Sequence, residues 1–325
     1  MFGPQVIPVR ALRRPVIGVL MQKSTWKPGY YHLSANYVKA LEGAGALVIP
    51  VRVGEGIDYY RKTIASINGL VIPGGSANFN DSTDIGEASK ILYHLAEGLN
   101  DVGVHFPILG VCQGLQLLAT ISAGMNSVLS SCQGVGNIGL PLTFVGNFSE
   151  SSLYRGASQT IIDILSSRPV TANFHKFCLN TETVETETAL QVWNILSVNN
   201  DQNGTEFVSS MEHNAYPFVG VQFHPEKSLF STSSVFRIEN DYSSNIANRW
   251  FYDWIVQESW KNNNSFPLGE LDKLVMQNYC PQFTVRPNWR WVSEDYFFKQ
   301  SHNVTIVYRK KDHSEISTVS VLQLD

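Results

Sequence analysis

The chain has 325 residues, of which 43% are hydrophobic and 16% are charged, and its formal net charge is −4 at pH 7. A chain of this length and composition can bury a large core within one α/β domain. The acidic balance provides no basic surface for nucleic acid, and no apolar run reaches the roughly 18 residues of a membrane span, so we expect neither a nucleic-acid partner nor a transmembrane segment.

Strands and helices alternate along much of the chain. The hydrophobic pattern indicates, in chain order, a strand at Pro15–Met21, a helix at Leu33–Leu41, a strand at Ala46–Val51, a weak helix at Asp58–Ile67, a strand that ends in Pro73-Gly74-Gly75, a helix at Ile85–Leu99, a strand that ends at Leu109, hairpin strands at Val192–Asn199 and Thr205–Met211, a strand at Val219–Phe223 and a helix at Ser243–Trp260. Strands joined by crossover helices form a parallel sheet with helices on both faces. We therefore expect an α/β fold with a mostly parallel central sheet, and ligands at the carboxyl ends of its strands.

The run Gly110-Val111-Cys112-Gln113-Gly114 follows one of these strands directly. Glycine on both sides of a central residue permits the sharp strand-to-helix turn that presents a nucleophile. The helix predicted from Gly114 to Ser122 begins beside the sulfur, and its positive end favours the thiolate. Cys112 is therefore a candidate nucleophile, with a small buried core cysteine as the alternative.

The strand at Val219–Phe223 leads into His224-Pro225-Glu226. Proline cannot continue a strand ladder, so His224 should lie at the rim of the sheet with Glu226 on the same side. A thiol nucleophile needs a base, and the base needs a partner that fixes its tautomer. Cys112, His224 and Glu226 are the residues that we expect in these three roles.

The turn Pro73-Gly74-Gly75 is a third feature. A tetrahedral intermediate develops negative charge on oxygen, and backbone N–H groups in a glycine-rich turn can approach that oxygen closely. The N–H groups of Gly75 and Gln113 form the candidate oxyanion hole. An ordinary turn between a strand and a loop is the alternative.

With these three motifs in this order, the chain resembles the class I glutamine amidotransferase-like superfamily and, within it, the gamma-glutamyl hydrolases. The resemblance extends from Pro15 to near Phe283. Its finer basis is Ser34-Ala35-Asn36-Tyr37-Val38-Lys39 with Pro50-Val51-Arg52, Phe174-His175-Lys176 after Thr171-Ala172-Asn173, and Phe223-His224-Pro225-Glu226-Lys227.

The resemblance implies a flavodoxin-like fold and hydrolysis of the gamma-glutamyl bonds of folylpoly-gamma-glutamates through a thioester on cysteine, without a cofactor. It implies Cys112 as the nucleophile and His224 as the base, with His175, Gln116 and Gly74 binding the substrate. It further implies a lysosomal, vacuolar or secreted location, and it is compatible with a homodimer.

One departure from the family concerns position 116. Many gamma-glutamyl hydrolases carry Thr-Cys-Leu-Gly-Phe-Glu at the elbow, whereas this chain reads Val111-Cys112-Gln113-Gly114-Leu115-Gln116. Amidotransferase glutaminases tend to carry this glutamine, so a glutaminase that supplies ammonia to a synthase is the alternative function. A binding protein that retains the fold without turnover is a third alternative, which the presence of nucleophile, base and orienting acid disfavours.

Cysteine and sequon patterns bear on metal binding and location. The four cysteines and eight histidines lack the spacing of zinc ligands, so we expect no metal site. With Cys112 as nucleophile three cysteines remain, which excludes a dense disulfide framework. No signal peptide is visible, yet sequons favour a secretory route; they lie at Asn80, Asn147, Asn203, Asn263 and Asn303.

We divide the chain into a leader at residues 1–14, a catalytic domain at 15–283 and a C-terminal extension of unknown role at 284–325. Within it, the segment from Asn288 to Asp325 should be exposed or poorly ordered.

Two groups of side chains near the site remain open in role. Aromatic residues in the loop after the first strand could stack a pterin or pack on the domain itself; they are Trp26, Tyr30 and Tyr31. Three lysines near the site loops should be solvated surface residues; they are Lys23, Lys176 and Lys227.

Overall fold

A computed structural model of the chain describes residues 14–81, 83–231, 236–286, 291–300, 304–309 and 316–321. Residues 1–13 of the predicted leader lie outside these ranges. The strands are β1 (Val16–Leu20), β2 (Gln22–Lys23), β3 (Tyr30–Ser34), β4 (Leu47–Val51), β5 (Gly69–Ile72), β6 (Ile108–Val111), β7 (Ser130–Ser131), β8 (Gly136–Leu140), β9 (Thr143–Phe144), β10 (Thr171–Phe174), β11 (Phe177–Cys178), β12 (Trp193–Asn200), β13 (Glu206–His213), β14 (Phe218–Val221), β15 (Gln282–Arg286), β16 (Trp291–Lys299), β17 (Val304–Arg309) and β18 (Ile316–Val321).

The α-helices are α1 (Ala35–Gly43), α2 (Ile57–Ile64), α3 (Ile85–Asp101), α4 (Gln113–Ser122), α5 (Gln159–Ser167), α6 (Thr181–Thr186), α7 (Pro225–Phe230) and α8 (Tyr242–Ser259). Short 3-10 turns lie at Phe148–Glu150, Thr188–Leu190, Leu271–Lys273 and Met276–Asn278. Among the described residues, no helix is both long enough and apolar enough to cross a membrane.

The central sheet has the strand order β4-β1-β5-β6-β14-β13-β12-β9. The strands from β4 to β14 run parallel, and β13, β12 and β9 continue the sheet in antiparallel fashion. The hairpin of β12 and β13 is the one predicted around Asn203-Gly204. The mostly parallel α/β sheet that we expected is therefore confirmed.

Alternate residues of the parallel strands enter two separate cores, one on each face of the sheet. Leu70 and Ile72 of β5 pack into the core that α2, α3 and α4 cover. Val71, between them, packs into the opposite core, which α1 and α8 cover. Because successive side chains of a strand point to opposite faces, this division follows from the continuous apolar runs of the strands.

The predicted helix at Leu33–Leu41 begins later than expected, at Ala35. Ser34 caps it, since its side chain accepts a hydrogen bond from the Asn36 N–H. Residues Tyr30–Ser34 instead form β3, an antiparallel partner of β2 and β16.

The expectation of an exposed or poorly ordered C-terminal extension is wrong for residues 291–299. They form β16, which pairs with β3 in a four-stranded sheet of order β15-β16-β3-β2. Tyr296 and Asp295 of this strand are buried. The pairing partner lies more than 250 residues earlier in the chain, so no local signal reveals it.

Candidate active site

The turn between β6 and α4 holds Cys112 at φ 53°, the left-handed region that non-glycine residues rarely adopt. A Cβ atom at Gly114 would approach the Ile72 carbonyl oxygen to 2.1 Å, and one at Gly110 would lie 2.7 Å from the Gly114 backbone. Both glycines are therefore required by close packing around a strained turn. The Cys112 N–H donates to the Val221 carbonyl at 2.7 Å, which ties the elbow to β14.

The structure brings Cys112, His224 and Glu226 together at the carboxyl ends of β6 and β14. His224 Nδ1 lies 2.7 Å from Glu226 Oε1, and both side chains are buried. A Cβ atom built on Gly74 would lie 2.4 Å from His224 Cε1 and 3.1 Å from Cys112 Cβ, so the imidazole and the cysteine flank this glycine. His224 immediately precedes the short helix α7, and Pro225 occupies its first turn, where proline is favourable.

Charge couples these three side chains. Burial opposes the imidazolium form of His224, but the charges of Cys112 and Glu226, together with hydrogen bonds to both, raise its pKa to about 9. Burial would raise the pKa of Glu226, yet the charge and hydrogen bond of His224 hold that pKa below its ordinary value. The arrangement places a cysteine beside an imidazole that a carboxylate orients, which is the geometry that activation of a cysteine nucleophile requires.

Two tyrosines that the sequence analysis did not single out interact with the carboxylate of Glu226. Tyr252 of α8 donates its hydroxyl to Glu226 Oε2 at 3.2 Å. Tyr37 of α1 also interacts with this carboxylate, and burial raises its pKa well above the usual range of tyrosine. Tyr37 lies in a segment that carried the family resemblance, whereas nothing distinguished Tyr252 from the apolar face of its helix.

The glycine-rich turn after β5 lies against the elbow. Gln113 is the first residue of α4, so its N–H has no acceptor within the helix. Its side chain accepts from the Ala77 N–H at 3.1 Å and donates to the Ala77 carbonyl at 2.8 Å. The Gly74 N–H donates to Tyr37 Oη at 2.9 Å, and the Gly74 carbonyl accepts from Gln22 Nε2 at 2.9 Å. A Cβ at Gly75 would lie 2.1 Å from the Gln22 side chain, so the turn is held closely from both sides.

His175 and Gln116 meet at one backbone carbonyl beside the elbow. His175 Nδ1 lies 3.1 Å from the Phe177 oxygen, and Gln116 Nε2 donates to the same oxygen at 2.7 Å. Burial and then the charge of His224 lower the pKa of His175 to about 4, so this imidazole is neutral near pH 7. A disulfide between Cys132 and Cys178, with Cα atoms 5.9 Å apart, secures the strand that carries Phe177.

The expectation of a solvated surface lysine is wrong for Lys227. Its side chain is buried, and its Nζ lies 5.0 Å from the centre of the Phe174 ring. That ring in turn contacts the imidazole of His224 edge-on, with centroids 6.1 Å apart. Lys23 forms an ion pair with Asp81.

The aromatic residues of the loop after β1 contact other parts of the chain. The ring of Trp26 lies 4.3 Å from the His32 ring, and that of Tyr30 lies 6.5 Å from the Phe297 ring of β16. Packing on the domain itself, one of the two interpretations of this loop, accounts for these contacts.

The comparisons with known proteins agree on one family. Residues 15–226 match the family model described as Peptidase C26. A gamma-glutamyl hydrolase of Rattus norvegicus is 35% identical over 283 residues, which cover 85% of this chain and 87% of that protein. One of Homo sapiens is 34% identical, covering 84% of this chain and 86% of its own. Gamma-glutamyl hydrolase B of Dictyostelium discoideum is 31% identical, covering 90% of this chain and 85% of its own.

Proposed function

The chain belongs to the peptidase C26 family and, within it, to the gamma-glutamyl hydrolases, and from that membership we propose how its residues act. It is a cysteine-type hydrolase of gamma-glutamyl bonds. We assign Cys112 as nucleophile, His224 as base and Glu226 as the acid that orients the base. The observation that carries the assignment is the buried contact of 2.7 Å between His224 Nδ1 and Glu226 Oε1, with the Cys112 turn beside the same imidazole.

The proposed reaction has two halves. The Cys112 thiolate attacks the gamma-carbonyl carbon, and the resulting oxyanion accepts hydrogen bonds from the Gly75 and Gln113 N–H groups. The C–N bond then breaks, the leaving amine takes a proton from His224, and a thioester remains. In the second half His224 accepts a proton from water, and the hydroxide adds to the thioester carbon. The C–S bond then breaks to release the gamma-carboxylic acid and the thiolate, and the acid loses its proton to solvent.

The proposed substrates are folylpoly-gamma-glutamates. His175, Gln116 and Gly74 lie around the elbow where the glutamyl chain would be held. The absence of a side chain at Gly74 leaves room between the imidazole and the sulfur. The glutaminase alternative rested on Gln116 and is not favoured, because the relatives that cover most of the chain are gamma-glutamyl hydrolases.

Incubation with a defined folylpentaglutamate tests this function. Wild-type enzyme should release glutamate or glutamyl chains, and Cys112→Ala should abolish the release. Cys280→Ala is the matched control, because Cys280 is the other free cysteine and is exposed. Unchanged turnover in Cys112→Ala would refute the assignment, and turnover of glutamine in place of the pentaglutamate would revive the glutaminase.

We further propose a lysosomal, vacuolar or secreted location, a homodimer, and the division into leader, catalytic domain and extension given above. The disulfide of Cys132 and Cys178 supports an oxidising compartment. Exposed apolar side chains such as Leu268 supply surface that a second subunit could cover. Glycosidase treatment of protein from eukaryotic cells and light scattering on the purified chain test location and assembly.

A further inference from the structure

Gln222 lies directly behind the nucleophile and has no part in the mechanism above. It follows β14, its side chain is fully buried, and its backbone N–H donates to the Ser209 carbonyl at 2.9 Å. Its Nε2 lies 3.7 Å from Cys112 Sγ, within hydrogen-bond range of sulfur. A buried amide beside a reacting sulfur affects the stability of the charged sulfur, because hydrogen bonds and dipole interactions are stronger in surroundings of low polarity.

The direction of this hydrogen bond follows from the neighbouring contacts. The Phe177 carbonyl can only accept, so Gln116 must present its NH2 group to it, at 2.7 Å. The same NH2 group lies 3.2 Å from Gln222 Oε1 and donates to it. With its oxygen occupied in this way, Gln222 has its own NH2 group facing the sulfur.

We propose that Gln222 is a further catalytic residue, which donates a hydrogen bond to the Cys112 thiolate, and that Gln116 is the positioning residue that sets the direction of this bond. The proposal rests on Cys112 being the nucleophile. Hydrogen bonds to charged groups are the stronger ones. Gln222 therefore stabilises the sulfur when it is charged, in the free enzyme and again as it leaves the thioester.

The identity of residue 116 decides the orientation of the Gln222 amide. A carboxylate at position 116 could not donate to either the Phe177 carbonyl or Gln222 Oε1. Gln222 would then turn its NH2 group toward position 116 and its oxygen toward Cys112 Sγ. The amide oxygen in that position would repel a thiolate. Glutamine at 116 therefore directs the amide donor of Gln222 to the sulfur in this chain.

Alkylation of Cys112 by iodoacetamide as a function of pH tests the proposal without any glutamyl substrate. The variants are Gln222→Leu, which removes the donor, and Gln116→Glu, which reverses its direction. Both should shift the alkylation midpoint upward by about one pH unit and slow alkylation below it roughly tenfold. Gln191→Glu, at an exposed glutamine, is the control for an added charge and should follow the wild-type profile.

The outcomes separate the proposal from the function on which it rests. Wild-type profiles in both folded variants, with unfolding temperatures near that of the wild-type protein, would overturn the role of Gln222. If Gln222→Leu fails to fold, Gln222→Met, which also removes the donor without adding a charge, decides in the same way. Shifted profiles in an enzyme that leaves folylpentaglutamate intact would uphold the hydrogen bond and refute the substrate. A wild-type Cys112 that resists alkylation at every pH would overturn both.

Discussion

The hydroxyl of Tyr37 accepts a hydrogen bond from the Gly74 backbone N–H at 2.9 Å, and the same hydroxyl interacts with Glu226. One phenol from α1 therefore fixes both the glycine-rich turn after β5 and the carboxylate that orients His224. Burial keeps this phenol neutral, since its pKa is raised well above the usual range.

Tyr37→Phe should lower kcat roughly tenfold, because the variant leaves the Gly74 N–H without its acceptor and removes one of the two tyrosine hydroxyls that interact with Glu226. The unfolding free energy should fall by about 1 kcal/mol. Tyr60→Phe is the control, since Tyr60 Oη is buried and accepts from the Glu55 N–H away from the site. Equal kcat losses in both variants, measured at saturating substrate, would contradict the role of Tyr37.

Gly74→Ala should reduce kcat/KM by at least an order of magnitude, because the new methyl group would lie 2.4 Å from His224 Cε1. Gly98→Ala is the matched control. A Cβ at Gly98 meets open space within helix α3, so this change should leave activity unaltered and stabilise the protein by about 0.5 kcal/mol. Steady-state kinetics and thermal unfolding measure the two effects.

The stability of the folded protein should decline at alkaline pH. The folded pKa of His224, about 9, lies above its ordinary value of 6.5. Its contribution is therefore complete below about pH 6.5 and is lost as the pH rises through about 9. The melting temperature of wild-type protein should fall over that window, and the fall should be smaller in His224→Asn. Parallel profiles would show that the pKa of His224 is not raised in the folded protein.

Acid should destabilise the protein through His213. Burial lowers the pKa of this side chain to about 4, and its Nδ1 accepts the N–H groups of Ala215 and Tyr216 at 3.1 Å each. Because the unfolded chain takes up the proton first, stability is present above about pH 6.5 and is lost as the pH falls toward 4. In His213→Asn, which retains an acceptor, this loss should be smaller when melting temperatures are compared. An equally steep loss in the variant would argue against His213 as its source.

Removing the disulfide should destabilise the fold. Cys132 and Cys178 are 46 residues apart in sequence, and a loop of that size corresponds to about 4 kcal/mol in the chain-entropy account, with 2–4 kcal/mol typical of measurements. The double serine variant should melt at least several degrees lower. Cys280→Ser, at an exposed free thiol, should change the unfolding free energy by less than about 0.5 kcal/mol.

The elements that the sequence predicts well are those whose signals are local. Cys112 is bracketed by Gly110 and Gly114, whose close contacts demand glycine. His224 and Glu226 are two residues apart and meet at the first turn of α7. Such features depend on neighbouring residues, so their geometry can be inferred from the run of amino acids alone.

Residues that reach the site from distant elements could not be found in this way. Tyr252 donates to Glu226 from a helix whose apolar spacing indicates only which face is buried. Gln222 and Gln116 are 106 positions apart and become neighbours only when β14 lies beside β6. Hydrophobic periodicity describes burial, whereas these contacts depend on the order of strands in the sheet.

The pairing of Leu33 with Tyr296 joins residues 263 positions apart (296 − 33). Loop closure over such a separation is entropically costly, and pairings of high contact order form late in folding. During translation the central sheet can therefore assemble while β3 is paired with β2 and still lacks β16. A nascent chain that stops short of residue 291 leaves the β16-facing backbone groups of β3 available to other strands, which makes this edge a point where an incomplete product would aggregate.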